Sequence, residues 1–123
     1  MPVRVLIVED EPNIVESLSF ILKREGCAIT TELDGVSGLA RLRVERPDVL
    51  ILDVMLPKLD GFQVLKQIRS DANLAELPIL MLTAKGQQKD RQTAEELGVS
   101  AFITKPFSNQ EVVKLVMELA APS

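Results

Sequence analysis

Short, wholly apolar runs alternate with longer amphipathic stretches along the chain, and this alternation narrows the fold more than any other feature. Val49–Leu52 and Ile79–Leu82 are continuously apolar and too short for helices, as in parallel strands buried on both faces. With Val3–Val8, Cys27–Glu32 and Ser100–Thr104 they predict strands over Val3–Val8, Cys27–Glu32, Asp48–Asp53, Pro78–Thr83 and Ser100–Thr104. Between them Ile14, Val15, Leu18, Ile21 and Leu22 recur at helical spacing as far as Gly26, with Pro12 suited to the first turn. A second helix carries Val36, Leu39, Ala40 and Leu42 and ends before Pro47. A third follows the Pro57 and Asp60-Gly61 loop with Phe62, Leu65 and Ile68. A polar fourth covers Gly86–Leu97 and stops at Gly98. Ser108 and Glu111 form a capping box for a fifth with Val112, Val113, Val116 and Leu119, which Pro122 breaks. Strands alternating with helices need crossover connections, so the expected class is α/β: a parallel five-stranded sheet with helices on both faces.

The 123 residues suit one domain, expected to span 1–123. No apolar run approaches the ~20 residues that cross a bilayer, and Glu9, Asp10 and Glu11 interrupt any signal-peptide core, so no membrane association is expected. A lone cysteine, Cys27, supports neither an intrachain disulfide nor a thiolate metal cluster, which points to a reducing cytoplasm. A net charge of −4 disfavours direct nucleic-acid binding, which runs on Lys and Arg. The chain has no histidine. Ser-His-Asp, Cys-His and HExxH chemistry are thereby excluded, leaving carboxylates, hydroxyls, lysines and metal ions.

The remaining polar residues gather at strand ends. Glu9 and Asp10 follow the first strand, Asp53 closes the third, Thr83 closes the fourth and Lys105 follows the fifth. In a parallel sheet these ends share one edge, where open α/β sheets bind ligands. With strand order 2-1-3-4-5 the first and third strands are neighbours, and Glu9, Asp10 and Asp53 face one another. Clustered carboxylates repel, and all-oxygen ligation without His or thiolate favours Mg2+, or Mn2+, over zinc. Metal, lysine and hydroxyl around one carboxylate suit phosphoryl transfer, and an Asp carboxylate can itself be the nucleophile. Each element has an ordinary reading alone: the acids as a helix N-terminal complement, Lys105-Pro106 as a turn, Phe102 and Met55 as packing. Their conjunction at one edge carries the weight.

The blocks VLIVEDEP, LILDVMLPKLDG, ILMLTA and ITKPF, in this order and spacing, closely resemble the receiver domain of bacterial two-component response regulators, over essentially the whole chain. The resemblance implies a flavodoxin-like (βα)5 domain and a signalling switch rather than a turnover enzyme, catalysing only its own phosphorylation and dephosphorylation. By this resemblance Asp53 is the phosphoacceptor, charged by a phosphohistidine on a sensor histidine kinase or His-phosphotransfer protein. Asp10 is a direct metal ligand, Glu9 one acting mostly through water, and Met55 a ligand through its backbone carbonyl. Lys105 pairs with the phosphoryl group and precedes a cis proline. Thr83 and Phe102 are the switch pair, and Ala84 leaves the phosphoryl group room. Lys85 and Met55 are expected to tune the lifetime of the phosphoryl group.

Output is expected through the face of the fourth helix, fifth strand and last helix, toward a downstream protein or attached effector. That face is also a candidate for a phosphorylation-dependent homodimer, although no decisive pattern marks it. A Mg2+-dependent phosphatase would carry an Asp where Met55 stands, and a flavin carrier a Ser/Thr/Gly-rich first loop in place of Glu-Asp-Glu-Pro-Asn. The alternative is a phosphorylation-independent pseudo-receiver serving as a binding module, which usually lacks an acid or the lysine retained here.

Overall fold

The computed structural model describes residues 2–84 and 87–121. It contains β1 (Arg4–Val8), α1 (Pro12–Arg24), β2 (Ala28–Glu32), α2 (Gly35–Val44) and β3 (Val49–Asp53), followed by α3 (Gly61–Ser70) and β4 (Ile79–Thr83). The chain then forms α4 (Gln88–Glu96), β5 (Ala101–Thr104) and α5 (Asn109–Ala120). All strands are parallel in the order β2-β1-β3-β4-β5, the expected flavodoxin-like arrangement. Each strand begins one residue later than the apolar pattern predicts. The residue in front still joins the backbone network: Ala28 N–H donates to Val3 O, and Asp48 N–H to Arg4 O, at 2.8 Å each. Gly86 and Pro122, predicted to bound α4 and α5, lie outside the described residues.

The continuous apolar strands are explained by two separate cores. Leu6, Val8, Leu50, Leu52, Ile79 and Met81 pack on Leu39 and Leu42 of α2, Val64, Leu65 and Ile68 of α3, and Ala94 of α4. Val5, Ile7, Val49, Ile51, Leu80, Leu82 and Ile103 pack on Leu18 and Leu22 of α1 and on Val112 and Val116 of α5. Alternate residues of one strand therefore enter opposite cores, the strand period of two applied to a sheet covered on both sides. α1 begins with Pro12 in its first turn, as expected. The Ser108 hydroxyl accepts from Glu111 N–H at 3.2 Å, the first half of the predicted capping box.

The loop between β3 and α3 is held by close backbone approach. The Asp60 carboxylate caps α3 by accepting from Gln63 N–H at 3.0 Å, and Gly61 N–H donates to Val54 O at 2.9 Å. A Cβ at Gly61 would lie 2.2 Å from the Asp53 carbonyl oxygen. Across the loop, Leu59 N–H donates to Pro57 O at 2.7 Å around Lys58, whose φ is 68°. Asp34 caps α2 in the same manner, and a Cβ at Gly35 would meet the Leu59 carbonyl oxygen at 1.9 Å. The two Asp-Gly pairs thus start helices whose first residues must lack side chains, because the segment leaving Asp53 runs against them. Gly61→Ala should cost about 1–3 kcal/mol through overpacking. The urea unfolding midpoint checks this, and an unchanged midpoint would show that the loop yields freely.

Candidate functional site at the carboxyl edge of the sheet

The parallel strands bring the sequence-predicted residues to one edge. Asp53 ends β3, Thr83 ends β4, and Glu9 and Lys105 follow β1 and β5. The β1–β3 register pairs Val8 with Leu52, so the next residues, Glu9 and Asp53, come alongside.

Period two then sorts the set by face. Glu9 continues the Val5–Ile7 series, Asp53 the Val49–Ile51 series and Lys105 follows Ile103, all on the α1/α5 side. Thr83 continues Ile79–Met81, and Phe102 and Thr104 flank Ile103, all on the α2/α3/α4 side. The contacts follow this division. Lys105 Nζ donates to Glu9 Oε1 at 3.1 Å and to Asp53 Oδ1 at 3.2 Å. The Thr83 hydroxyl donates to Ile103 O at 3.3 Å and lies 3.3 Å from Thr104 Oγ1, its register partner on β5. The sequence places Thr83 beside Asp53; in the structure its hydrogen bonds run to β5 instead. The two groups are linked through the backbone, where Lys105 N–H donates to Thr83 O at 2.8 Å.

Glu9 is fully buried and Asp53 nearly so, whereas Asp10 is exposed and donates its backbone N–H to Glu9 Oε2 at 3.1 Å. Glu9, Asp10 and Asp53 each offer a carboxylate oxygen within 4.8 Å of the others. Burial first, and then the adjacent Asp53 carboxylate, push the Glu9 carboxyl up to about 8 against the pull of Lys105. Burial opposes the Lys105 charge, yet Asp53 and Glu9 together hold it above the ordinary lysine value. All donors are oxygen, and the cluster sets three carboxyl groups against the Lys105 ammonium. Both properties suit a hard divalent cation such as Mg2+.

The other predicted residues lie around this centre. The Lys105-Pro106 bond is cis. Met55 is 72% exposed, so its side chain is not one of the packing residues its type suggests. Phe102 is half-buried against the α3/α4-side core. Ala84 lines a cavity of ≈ 240 Å³ with Gln87, Gln88, Arg91 and Thr104. Lys85 lies outside the described residues. Sequence reasoning missed the capping roles of Asp34 and Asp60, although each is a capping residue type followed by Gly, with Ser37 or Gln63 at the third helical position. It also missed Arg91, whose guanidinium lies 4.5 Å from the Phe102 ring centroid. Nothing in the local sequence around Arg91 signals that contact, which joins residues of two different elements.

The Glu9 carboxyl has a definite consequence for stability. Between its unfolded value near 4.5 and its folded value of about 8, the folded chain holds a proton that the unfolded chain releases. Stability in chelator should therefore fall as pH rises through that window. Urea midpoints from pH 5 to 8.5 should decline in the wild type and much less in Glu9→Gln. Equal slopes would remove Glu9 as the cause.

The response regulator receiver domain family model matches residues 5–117. The chain is 45% identical over 126 residues to the alkaline phosphatase synthesis transcriptional regulatory protein PhoP of Bacillus subtilis, covering 98% of this chain and 52% of that protein. It is 39% identical to the DNA-binding dual master transcriptional regulator RpaA of Synechocystis, covering 94% and 48%. The chain thus spans about half the length of these curated relatives. A solved structure from Chloroflexus aurantiacus superposes with a TM-score of 0.96 at 34% identity, covering 99% of this chain and 100% of that one. The receiver domain of sensor histidine kinase PA1611 from Pseudomonas aeruginosa, solved with magnesium coordinated in its active-site cleft, superposes at 0.90 with 28% identity and 98% coverage of each chain. Sequence family, strand order and the acidic edge agree: this chain belongs to the receiver-domain family of two-component response regulators, the phosphorylation-signalling modules of those systems.

Proposed function

We propose that Asp53 is the phosphoacceptor of a Mg2+-dependent switch and that the whole chain, 1–123, acts as one receiver domain. The observation that carries this reading is the Lys105 ammonium bridging Asp53 and the buried Glu9 at 3.2 and 3.1 Å. An Asp53 oxygen attacks the phosphorus of a partner's phosphohistidine, forming a P–O bond as the P–N bond breaks, and the imidazole leaves with the electron pair. The donor belongs to a sensor histidine kinase or His-phosphotransfer protein, consistent with a chain that has no histidine. Lys105 holds Asp53 in place and then faces the phosphoryl oxygens. Glu9, Asp10, Asp53 and the Met55 backbone carbonyl would hold Mg2+, with Mn2+ as a substitute. The bound cation supplies charge neutralisation for the transferring group.

Switching follows from charge. The phosphoryl group adds acceptor oxygens and about 1.5 to 2 negative charges. Thr83 leaves Ile103 O and Thr104 to donate to it, and Phe102 moves into the space vacated. The face of α4, β5 and α5 changes accordingly. That face is offered to a downstream protein, an attached effector or a phosphorylation-dependent second copy. Any nucleic-acid contact is assigned to another domain, as the relatives that are transcriptional regulators are about twice as long. The output is a timed state rather than substrate turnover, because water hydrolyses the acyl phosphate. Met55, exposed two residues beyond Asp53, is placed to tune that lifetime.

Intact mass after incubation with Mg2+ and acetyl phosphate should show one added phosphoryl group, lost with EDTA or in Asp53→Asn. Lack of an adduct together with lack of beryllofluoride binding by NMR would overturn the reading. Substituting Met55 with Ala, Glu or Lys should change the dephosphorylation rate; identical rates in all three would free Met55 of the role.

A further inference from the structure

α4 is weakly attached to the rest of the domain. Its sequence QKDRQTAEE buries only Ala94 fully, and its N-cap residue Gln87 makes no side-chain capping bond. Two arginines tether it at opposite ends. At the carboxyl end, Arg69 of α3 donates through Nε to Gly98 O at 2.9 Å, and through Nη1 to Ala75 O and Leu77 O at 2.9 and 2.8 Å. This guanidinium joins α3, the segment before β4 and the turn after α4 into one unit. In the amino-terminal half, Arg91 reaches from α4 to the Phe102 ring of β5 at 4.5 Å. Among the described residues it makes no ion pair that competes with the ring. The other such pair, Arg24 with Phe20 at 5.8 Å, lies within α1 and links no two elements.

We propose that Arg91 is a latch on the resting state, a positioning residue that acts through Phe102. A guanidinium over an aromatic face is attracted by the ring quadrupole and loses that attraction when the ring moves away. With the ring half-buried and stacked, Arg91 fixes both the Phe102 rotamer and the amino-terminal half of α4. It also lines the ≈ 240 Å³ cavity between α4 and Thr104, the hydroxyl partner of Thr83. The latch therefore sits on the ring and beside the threonine pair whose rearrangement the switch requires. An interaction present in one state only shifts the equilibrium by its own free energy, so losing the stack should favour the active state about two- to fivefold.

This inference rests on the proposed Thr83–Phe102 switch, and the experiment separates the two. The protein is labelled with 4-fluorophenylalanine, and the Phe102 signal is assigned by its loss in Phe102→Leu. Beryllofluoride with Mg2+ is then titrated and followed by 19F NMR. In the wild type the Phe102 signal should move on binding. Arg91→Gln should lower the half-saturating beryllofluoride concentration about two- to fivefold. Arg91→Lys, which keeps a cation, should fall between them. In a Phe102→Leu background, followed by backbone amide signals, Arg91→Gln should change nothing, which a general effect on α4 would not reproduce. An unchanged or raised midpoint in Arg91→Gln, with a wild-type ring that moves, overturns the latch and leaves the switch standing. A wild-type ring that stays fixed at saturation overturns the switch itself.

Discussion

One ammonium facing an excess of carboxylate is the constraint around which the edge of this domain is built. Lys105 lies about 3 Å from both Glu9 and Asp53, with Asp10 close by. Burying Glu9 completely beside a second carboxylate gains no folding energy; it raises the carboxyl to about 8 and makes the metal-free protein retain a proton there. A structural requirement would be met more simply by an apolar residue or a matched pair, since buried ion pairs seldom stabilise over packed hydrocarbon. The imbalance makes sense as stored affinity for positive charge. A divalent cation held by Glu9, Asp10 and Asp53 would relieve it and would supply positive charge beside Asp53.

The sheet converts this local imbalance into a divided device. Glu9, Asp53 and Lys105 belong to the series on the α1/α5 side, while Thr83, Phe102 and Thr104 belong to the opposite side. Strand periodicity and register impose the division, and they keep Thr83, Phe102 and Thr104 out of the Lys105 ion-pair cluster. Communication between the two sets is short and mostly backbone, as in the Lys105 N–H to Thr83 O bond. Thr83 is satisfied by Ile103 O and Thr104, and in the proposed switch it would exchange those partners for a phosphoryl oxygen. That balance suits a two-state element whose populations shift with one added charge.

The fold was legible because the strongest signals were physical necessities. Val49–Leu52 and Ile79–Leu82 are apolar at every position, and only a sheet covered on both faces requires that. The meeting of Glu9, Asp53 and Lys105 followed from strand order and strand direction. The side taken by Thr83 did not, because it depends on the β3–β4 register, which pairs Asp53 with Leu82 and so sets Thr83 on the opposite face. Arg91 was illegible for a different reason: its partner lies on another element, and no local period relates a helix position to a strand position. In sequence, Asp34-Gly35 and Asp60-Gly61 read only as turn or loop punctuation. Their second meaning, a cap followed by a residue that must lack a side chain, depends on backbone arriving from elsewhere in the fold.

The distribution of packing decides where such a domain can move. α1, α2, α3 and α5 each sink two or more residues into a core, whereas α4 commits only Ala94 and presents charge and amide over most of its surface. Elements with little buried apolar area have low local stability and are the ones recruited for conformational change. A helix that buries almost nothing needs contacts other than apolar packing to define its position. Arg69 supplies that definition at one end by donating to the carbonyls of Gly98, Ala75 and Leu77. At the other end the contact is to an aromatic ring, which holds only as long as the ring stays put. A helix fixed at its carboxyl end and conditionally held at its amino end has one direction in which to yield: its amino-terminal half, next to Thr104 and the end of β4.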